Sequence, residues 1–290
     1  MIQRDFHNPA AIRSFIEQAL NEDIGDGDIT TKSSFNNDIS GAAHCLVKEK
    51  CTIAGIDLAI QICNYLDPQL EVNFTCKDGD IIEDVPACVG VISGKLSSIL
   101  QIERVLLNTM QRMSGIASLT KQYVQLAQPA GIDIYDTRKT TPNFRLPEKW
   151  AVVIGGGVNH RFRLDDQILI KDNHIKAAAD IQSALDNCLS YCNQQNIQIP
   201  VIVEVKDEQE FIIALKHRIV NRILIDNHTP EVLEKYIQYR NTIAPTKKLE
   251  ISGGINLDNI KPYLIPGIDC ISVGALTHHA ISVDISLKIV

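Results

Sequence analysis

After Pro129 the chain repeats one pattern, a short run of apolar residues followed by a polar or glycine residue and then by a helical stretch. The runs are Ile132–Tyr135, Ile168–Ile170, Val201–Val205, Ile223–Ile225, Leu249–Ile251 and Cys270–Val273. Runs this short and this rich in Val and Ile predict strands buried on both sides, as in a parallel sheet. The stretches between them carry helix starts. Asp207 precedes Phe211, Ile212 and Leu215, and Thr229-Pro230 precedes Val232, Leu233, Tyr236 and Ile237. Strands alternating with helices predict repeated βα units, and hence an α/β barrel or a related parallel fold.

In such a fold the carboxyl ends of all strands share one rim, where active sites form. Asp136-Thr137-Arg138-Lys139 follows the first run and Lys171 the second. Glu204 lies within the third, Asp226 follows the fourth, Ser252-Gly253-Gly254 the fifth and Gly274 the sixth. Cations, carboxylates and glycines at successive strand ends are complementary chemistries. The glycine-bearing ends come last, where barrels bind phosphate through backbone N–H groups.

Residues 136 to 174, DTRKTTPNFRLPEKWAVVIGGGVNHRFRLDDQILIKDNH, hold seven Lys or Arg residues together with His160 and His174. They stand against an overall charge of −7. Gly155-Gly156-Gly157, Pro142 and Pro147 add flexible and fixed backbone. Basic groups beside such backbone fit a small polyanionic ligand; a solvated charged surface is the competing expectation. The acidic balance argues against a general nucleic-acid binder. No apolar run approaches membrane-spanning length, and MIQRDFHNPAA lacks the apolar core of a secretory signal. The eight cysteines form no CxxC pair, so buried free thiols in a reducing cytoplasm are expected. Cys188 and Cys192 are one helical turn apart, but they continue the stripe of Ile181, Leu185 and Leu189 and predict core rather than a metal site.

The first part of the chain predicts a small α+β module. Asn8-Pro9 starts a helix through Ile12, Phe15, Ile16, Ala19 and Leu20. The acidic segment from Asn21 to Thr31 predicts a structured turn, since it lacks the closing Glu of a calcium loop. Strands are expected at Ala42–Lys48, Leu70–Thr75 and Cys88–Ser93, a helix at Ile56–Tyr65 and a turn at Asp78-Gly79-Asp80. A long helix follows from Ser97-Ser98, in which Gly115 marks either a break or a close approach, and Glu103 and Arg104 form a surface pair. The domain boundary is placed near Met113, giving 1–113 and 114–280. Ile281, Val283, Ile285, Leu287 and Ile289 alternate with period two and predict a strand at 281–289 that returns to the first domain.

DTRKTTP, EKWAVVIGGGVNHR, LIKDNH, VEV, LIDN, EISGGI and SVGALTH occur in this order, preceded by EDIGDGDITT and ERVLLNTMQRMSGIA. From about Glu22 to His278 the chain resembles the nicotinate-nucleotide pyrophosphorylase (carboxylating) family, the quinolinate phosphoribosyltransferases. The resemblance implies an N-terminal α/β open-faced sandwich and an incomplete parallel α/β barrel of six or seven strands. It implies conversion of quinolinate and phosphoribosyl pyrophosphate to nicotinate mononucleotide, pyrophosphate and carbon dioxide in NAD biosynthesis. It also implies Mg2+ carried with the pyrophosphate, and a homodimer with its sites at the subunit interface.

By position, Thr137, Arg138, Lys139, His160, Arg161 and Lys171 would line the quinolinate pocket, with Arg104 reaching it from a second subunit. Glu204 and Asp226 would face the ribose. Ser252, Gly253, Gly254, Val273, Gly274 and Ala275 would hold its 5′-phosphate. Lys139, Lys171, Glu204 and Asp226 are the implied catalytic set. The family commonly has Gly-Leu where Asn143-Phe144 stand, Gly at Arg163 and Ser at His279. Arg163 is expected to face solvent, and His174 to act either as a hydrogen-bonding group or as a proton donor. Two other functions compete: a related phosphoribosyltransferase acting on another acid such as nicotinate, and a non-catalytic anion-binding barrel.

Overall fold

The computed structural model describes residues 8–35 and 39–290. The opening stretch read for a signal falls partly outside them. In chain order come α1 (Pro9–Ile24), α2 (Ile29–Ser34), β1 (Ser40–Val47), β2 (Cys51–Thr52), α3 (Ile56–Leu66), β3 (Glu71–Phe74), β4 (Ile81–Ile82), β5 (Ala87–Lys95) and α4 (Leu96–Ala127). Next are β6 (Asp133–Tyr135), α5 (Arg145–Ile154), β7 (Ile168–Ile170), α6 (Asp172–Ala177), α7 (Ile181–Gln195), β8 (Val201–Val205), α8 (Glu208–Lys216), β9 (Arg222–Asp226) and α9 (Pro230–Ile243). The last are β10 (Lys248–Ser252), β11 (Cys270–Ser272), α10 (Ala275–His278) and β12 (Ile285–Ile289). No helix among the described residues is long and apolar enough to cross a membrane.

The chain forms two compact units. One gathers the chain up to Lys121 with Lys139–Gly157 and Leu276–Val290; the other comprises Gln122–Arg138 and Val158–Ala275.

The first unit holds an antiparallel sheet in the order β12-β1-β5-β3. The tail does return: Ile285 pairs with Val47 and Ile289 with Ala43. The strand occupies Ile285–Ile289 rather than the whole of 281–289. On β1, Ala43, Cys45 and Val47 are buried in strict alternation, so one face of the sheet is core. The acidic segment departs from expectation. It is helical at both ends, because α1 runs to Ile24 and Asp28 caps α2 by accepting the Thr31 N–H at 2.9 Å.

The long helix α4 is continuous through Gly115. Ile99, Ile102, Leu106, Met110, Met113 and Ala117 recur on its buried side at helical spacing. Gly115 therefore marks a close approach, since a Cβ at this position would collide with the carbonyl oxygen of Ile281 and lie 2.9 Å from its carbon. The incoming tail is held along α4 by Val283 N–H donating to the Gln111 carbonyl (3.1 Å) and by Gln111 Nε2 donating to the Ile285 carbonyl (2.7 Å).

Beneath the segment that follows Lys139 lies a buried charge cluster. Glu148, with no solvent exposure, accepts from Arg112 Nε (3.1 Å) and Nη2 (3.0 Å), and from the Thr141 N–H and hydroxyl (both 3.0 Å). Arg112 also donates to the carbonyls of Ala280 and Thr277, and Thr277 Oγ1 donates to the Lys139 carbonyl at 2.7 Å. One ion pair thus ties α4, α5, the Lys139 segment and the start of the tail together. Close by, Asn143 has φ +61°, a left-handed conformation that glycine adopts freely and Asn more readily than most other residues. Phe144 packs edge-on against Phe15 of α1 at 5.5 Å.

The second unit holds six parallel strands in the order β6-β11-β10-β9-β8-β7. The strands consecutive in sequence, β6 and β7, stand at opposite ends of this order. That is the arrangement of a barrel left open between its first two strands. The strands are buried on both sides as expected, with Ile202, Leu224 and Cys270 buried on the second face, but the two faces differ in chemistry. Ile134, Ile271, Ile251, Ile225 and Val205 share one face. Tyr135, Ser272, Glu250, Arg222, Asp226 and Glu204 share the other.

Two substitutions test these contacts. Gly to Ala within a helix ordinarily stabilises by about 1 kcal/mol. Gly115→Ala is expected to destabilise by about 1–3 kcal/mol instead, because a backbone carbonyl occupies the space. An unchanged or raised urea midpoint would show that the tail can move aside. Arg112→Met leaves Glu148 buried without its cation and is expected to lower unfolding free energy by about 3–5 kcal/mol in the same measurement.

Candidate active site

The polar face of the six-stranded sheet ends in the residues that the sequence placed on a rim. Ile170 pairs with Val203, so Lys171, one step on, stands opposite Glu204. Lys171 Nζ donates to Glu204 Oε2 at 2.8 Å, and the Glu204 side chain is only 15% exposed. Lys171 also opens α6, where its backbone N–H donates to His174 Nδ1 at 2.9 Å. Of the two roles expected for His174, this contact is the hydrogen-bonding one.

Asp226 ends β9 and Ser252 ends β10, directly opposite one another. Asn227 joins the two ends: its N–H donates to the Ser252 carbonyl (3.0 Å), and its Nδ2 donates to Asp226 Oδ2 (2.6 Å). Gly253 turns the chain at φ +102°, and a Cβ there would lie 2.7 Å from Asn227 Cγ. Only glycine satisfies both conditions. Gly254, by contrast, faces open space. Val273 N–H donates to the Tyr135 carbonyl at 2.9 Å, which places Gly274 and Ala275 just past the ends of β6 and β11.

Glu204 and Asp226 also line one cavity of about 600 Å3, with Asp172, Lys176, Lys206 and His228 around it. His228 Nδ1 lies 2.9 Å from the Asp226 carbonyl oxygen, which fixes the ring at the cavity wall.

The cationic side is built by residues 158–161. Val158 adds to the edge of β6, donating to the Ile134 carbonyl (2.8 Å) and accepting from the Asp136 N–H (3.1 Å). This brings Asn159, His160 and Arg161 over the strand end. Asp136, fully buried, accepts from Asn159 Nδ2 (2.6 Å) and from the His160 backbone N–H (2.8 Å). His160 does not present a free ring to a ligand, because Nδ1 accepts the Arg161 N–H (2.8 Å) and Nε2 lies 3.5 Å from Glu250 Oε1.

Arg161 is 8% exposed. Burial, and then the like charge of Arg138, pull its guanidinium below the ordinary range, with Asp166 opposing. Arg138 Nε is itself buried and makes no hydrogen bond to a described residue. Arg161 Nη1 donates to the Gln167 carbonyl at 3.5 Å, so the unanswered donor is that of Arg138, an arrangement that can take an anion.

Lys139 belongs to the first unit, where its carbonyl is held by Thr277. Arg104 projects from α4, 62% exposed, with Nη2 2.9 Å from Glu103 Oε1, the expected surface pair. Arg163 is also largely exposed and pairs with Asp165 at 3.2 Å.

The sequence did not single out Glu250, Arg222 or Ser272, and it placed Asp136 at a strand end without giving it a role. Glu250, wholly buried, accepts from Arg222 Nη1 (3.1 Å) and from the Ser272 hydroxyl. Arg222 also lies over the Tyr135 ring, 4.9 Å from its centre. Counting residues in twos back from Ser252 and Asp226 would have found Glu250 and Arg222 on the same face.

Two family profiles cover nearly the whole chain. The N-terminal domain of quinolinate phosphoribosyl transferase matches residues 28–114, and its C-terminal domain matches 116–288. Quinolinate phosphoribosyltransferase [decarboxylating] 1b of Nicotiana tabacum is 40% identical over 98% of this chain and 83% of its own length. The probable nicotinate-nucleotide pyrophosphorylase [carboxylating] of Synechocystis is 35% identical over 96% of this chain and 92% of its own. Among solved structures, NadC from Streptococcus pyogenes superposes with a TM-score of 0.87 at 36% identity, covering 97% of this chain and 96% of that one. With profiles matched along both halves and relatives at this identity over almost its full length, the chain belongs to the quinolinate phosphoribosyl transferase family.

Proposed function

We propose that the protein is a phosphoribosyltransferase that converts quinolinate and phosphoribosyl pyrophosphate to nicotinate mononucleotide, pyrophosphate and carbon dioxide. The observation that carries this is the buried Arg161, 8% exposed, under the like charge of Arg138, whose Nε is buried without a described hydrogen-bond partner, together with Glu204 and Asp226 at strand ends of the six-stranded sheet. A dicarboxylate answers two guanidiniums at once, and Arg grips carboxylates in a planar fork. A purely anion-binding protein gains nothing from Glu204 and Asp226. Nicotinate, with one carboxylate, leaves part of the cationic charge unmatched.

In the proposed reaction the bond from ribose C1 to pyrophosphate breaks, and its electron pair leaves with pyrophosphate. C1 becomes cation-like, a state that Glu204 and Asp226 stabilise directly or by holding the ribose hydroxyls. The pyridine nitrogen lone pair then forms the new bond to C1. Once cationic, that nitrogen stabilises the electron pair left at C2 as carbon dioxide departs, and a proton takes its place. Lys171 and Lys139 supply positive charge to the substrates, while backbone around Ser252–Gly254 and Val273–Ala275 cradles the 5′-phosphate. Mg2+ arriving on the pyrophosphate would neutralise the leaving group, and the oxygen donors Glu204 and Asp226 suit it, since Mg2+ takes one or two carboxylates beside phosphate oxygens.

The same proposal assigns Arg104 to the active site of a partner in a homodimer, supported by its exposure on α4. A division near Met113 is supported by the family profiles meeting between residues 114 and 116. The eight free cysteines support a reducing compartment such as the cytoplasm.

Purified protein mixed with quinolinate, phosphoribosyl pyrophosphate and Mg2+ is expected to release nicotinate mononucleotide and carbon dioxide in equal amounts. Turnover of nicotinate in place of quinolinate would select the competing function, and binding without pyrophosphate release would select the anion binder. Arg138→Ala is expected to raise the quinolinate KM by at least about 10-fold, the loss of a charged hydrogen bond, or to abolish turnover. Unchanged kinetics in that variant would remove Arg138 from the pocket.

A further inference from the structure

Two carboxylates without solvent exposure bracket His160. Asp136 holds the backbone, accepting the His160 N–H at 2.8 Å. Glu250 faces the ring, with Oε1 3.5 Å from Nε2. The other ring nitrogen, Nδ1, accepts the backbone N–H of Arg161 at 2.8 Å. A nitrogen that accepts carries no proton, so the ring hydrogen resides on Nε2, on the side of Glu250. A buried carboxylate is not needed to fill a core, since apolar side chains of similar volume do so at least as well. Glu250 is nonetheless kept charged. Burial works against that charge, but the His160 hydrogen bond, the Arg222 guanidinium and the Ser272 hydroxyl outweigh it and hold the carboxyl below its ordinary range.

We infer that Glu250 is a positioning residue: it fixes the Nε2–H tautomer of His160 and, through Nδ1, sets the peptide from which the Arg161 side chain reaches the anion site. This rests on the proposed reaction, in which Arg161 contacts quinolinate. Glu250 does not touch substrate in this scheme. It acts through His160, while Asp136 fixes the same residue from its backbone side. A carboxylate that served only to pair with Arg222 would affect stability and leave the His160 tautomer alone.

The test combines nitrogen NMR of the histidine rings in the intact protein with steady-state kinetics. His160 is assigned by the signal lost in His160→Gln. The wild-type ring is expected to show Nε2 protonated and Nδ1 bare. Glu250→Gln removes the charge, and Glu250→Asp keeps a charge for Arg222 while drawing it back from His160 by one methylene. In either folded variant the His160 signals are expected to move toward mixed tautomers. The quinolinate KM is expected to rise by about 10-fold or more, as when an outer-shell partner of a ligating His is lost. The KM for phosphoribosyl pyrophosphate is expected to change by less than about threefold, since its contacts are elsewhere. A protonated Nδ1 in the wild type overturns the inference without any variant. So does a folded variant with wild-type quinolinate KM, or an equal rise in both KM values. If the wild type does not turn over quinolinate, the proposed reaction falls, while the NMR arm still decides whether Glu250 governs His160.

Discussion

The period of two along a strand governs the second unit. Six parallel strands in register give one face made of Ile134, Ile271, Ile251, Ile225 and Val205, all buried. Burial of that face against helices such as α8, which contacts β8 and β9, supplies the apolar driving force. The opposite face is then free to carry charge, but in a low-dielectric setting only on condition that each charge is answered. Arg222, Glu250, Ser272 and His160 answer one another, as do Lys171 and Glu204. Arg138 is the exception, its Nε buried without a described hydrogen-bond partner, and the proposed chemistry involves it.

The same condition fixes the backbone that carries the proposed anion site. Arg161 cannot relax away from Arg138 by moving its backbone, because its N–H is committed to His160 Nδ1 and His160 is held by Asp136. In the proposed reaction a dicarboxylate would answer the like charge that Arg138 places on Arg161.

Much of this was legible in the sequence, for identifiable reasons. Ile168–Ile170 and Val201–Val205 begin and end where their apolar runs do, because turn residues and helix caps bound them sharply. The rim residues could be read because they follow strands directly. The second face could not, since a single Glu or Arg within three to five residues looks like a strand boundary until a neighbouring strand fixes the register. The orientation of His160 depends on Asp136, 24 residues away, and on Glu250, 90 away, separations that no local pattern encodes. Gly115 is ambiguous for a similar reason, because a break in a helix and a crossing chain 166 residues later call for the same residue. Around Asp28, acidic residues spaced by glycines suit a turn and also a helix cap, and here the cap wins.

The pairing of β12 with β1 bears on how the chain is made as well as on how it stands. Nearly 240 residues separate these strands, and the first unit also takes in 139–157 from the middle of the chain. A nascent chain on the ribosome therefore presents β1 with an unpaired edge while the six-stranded unit is being synthesised. The N-terminal unit cannot complete itself first, as the leading domain of a linear array does. Its sheet is finished by a strand that emerges only after all six strands of the second unit, so the first unit matures no earlier than the second has been made.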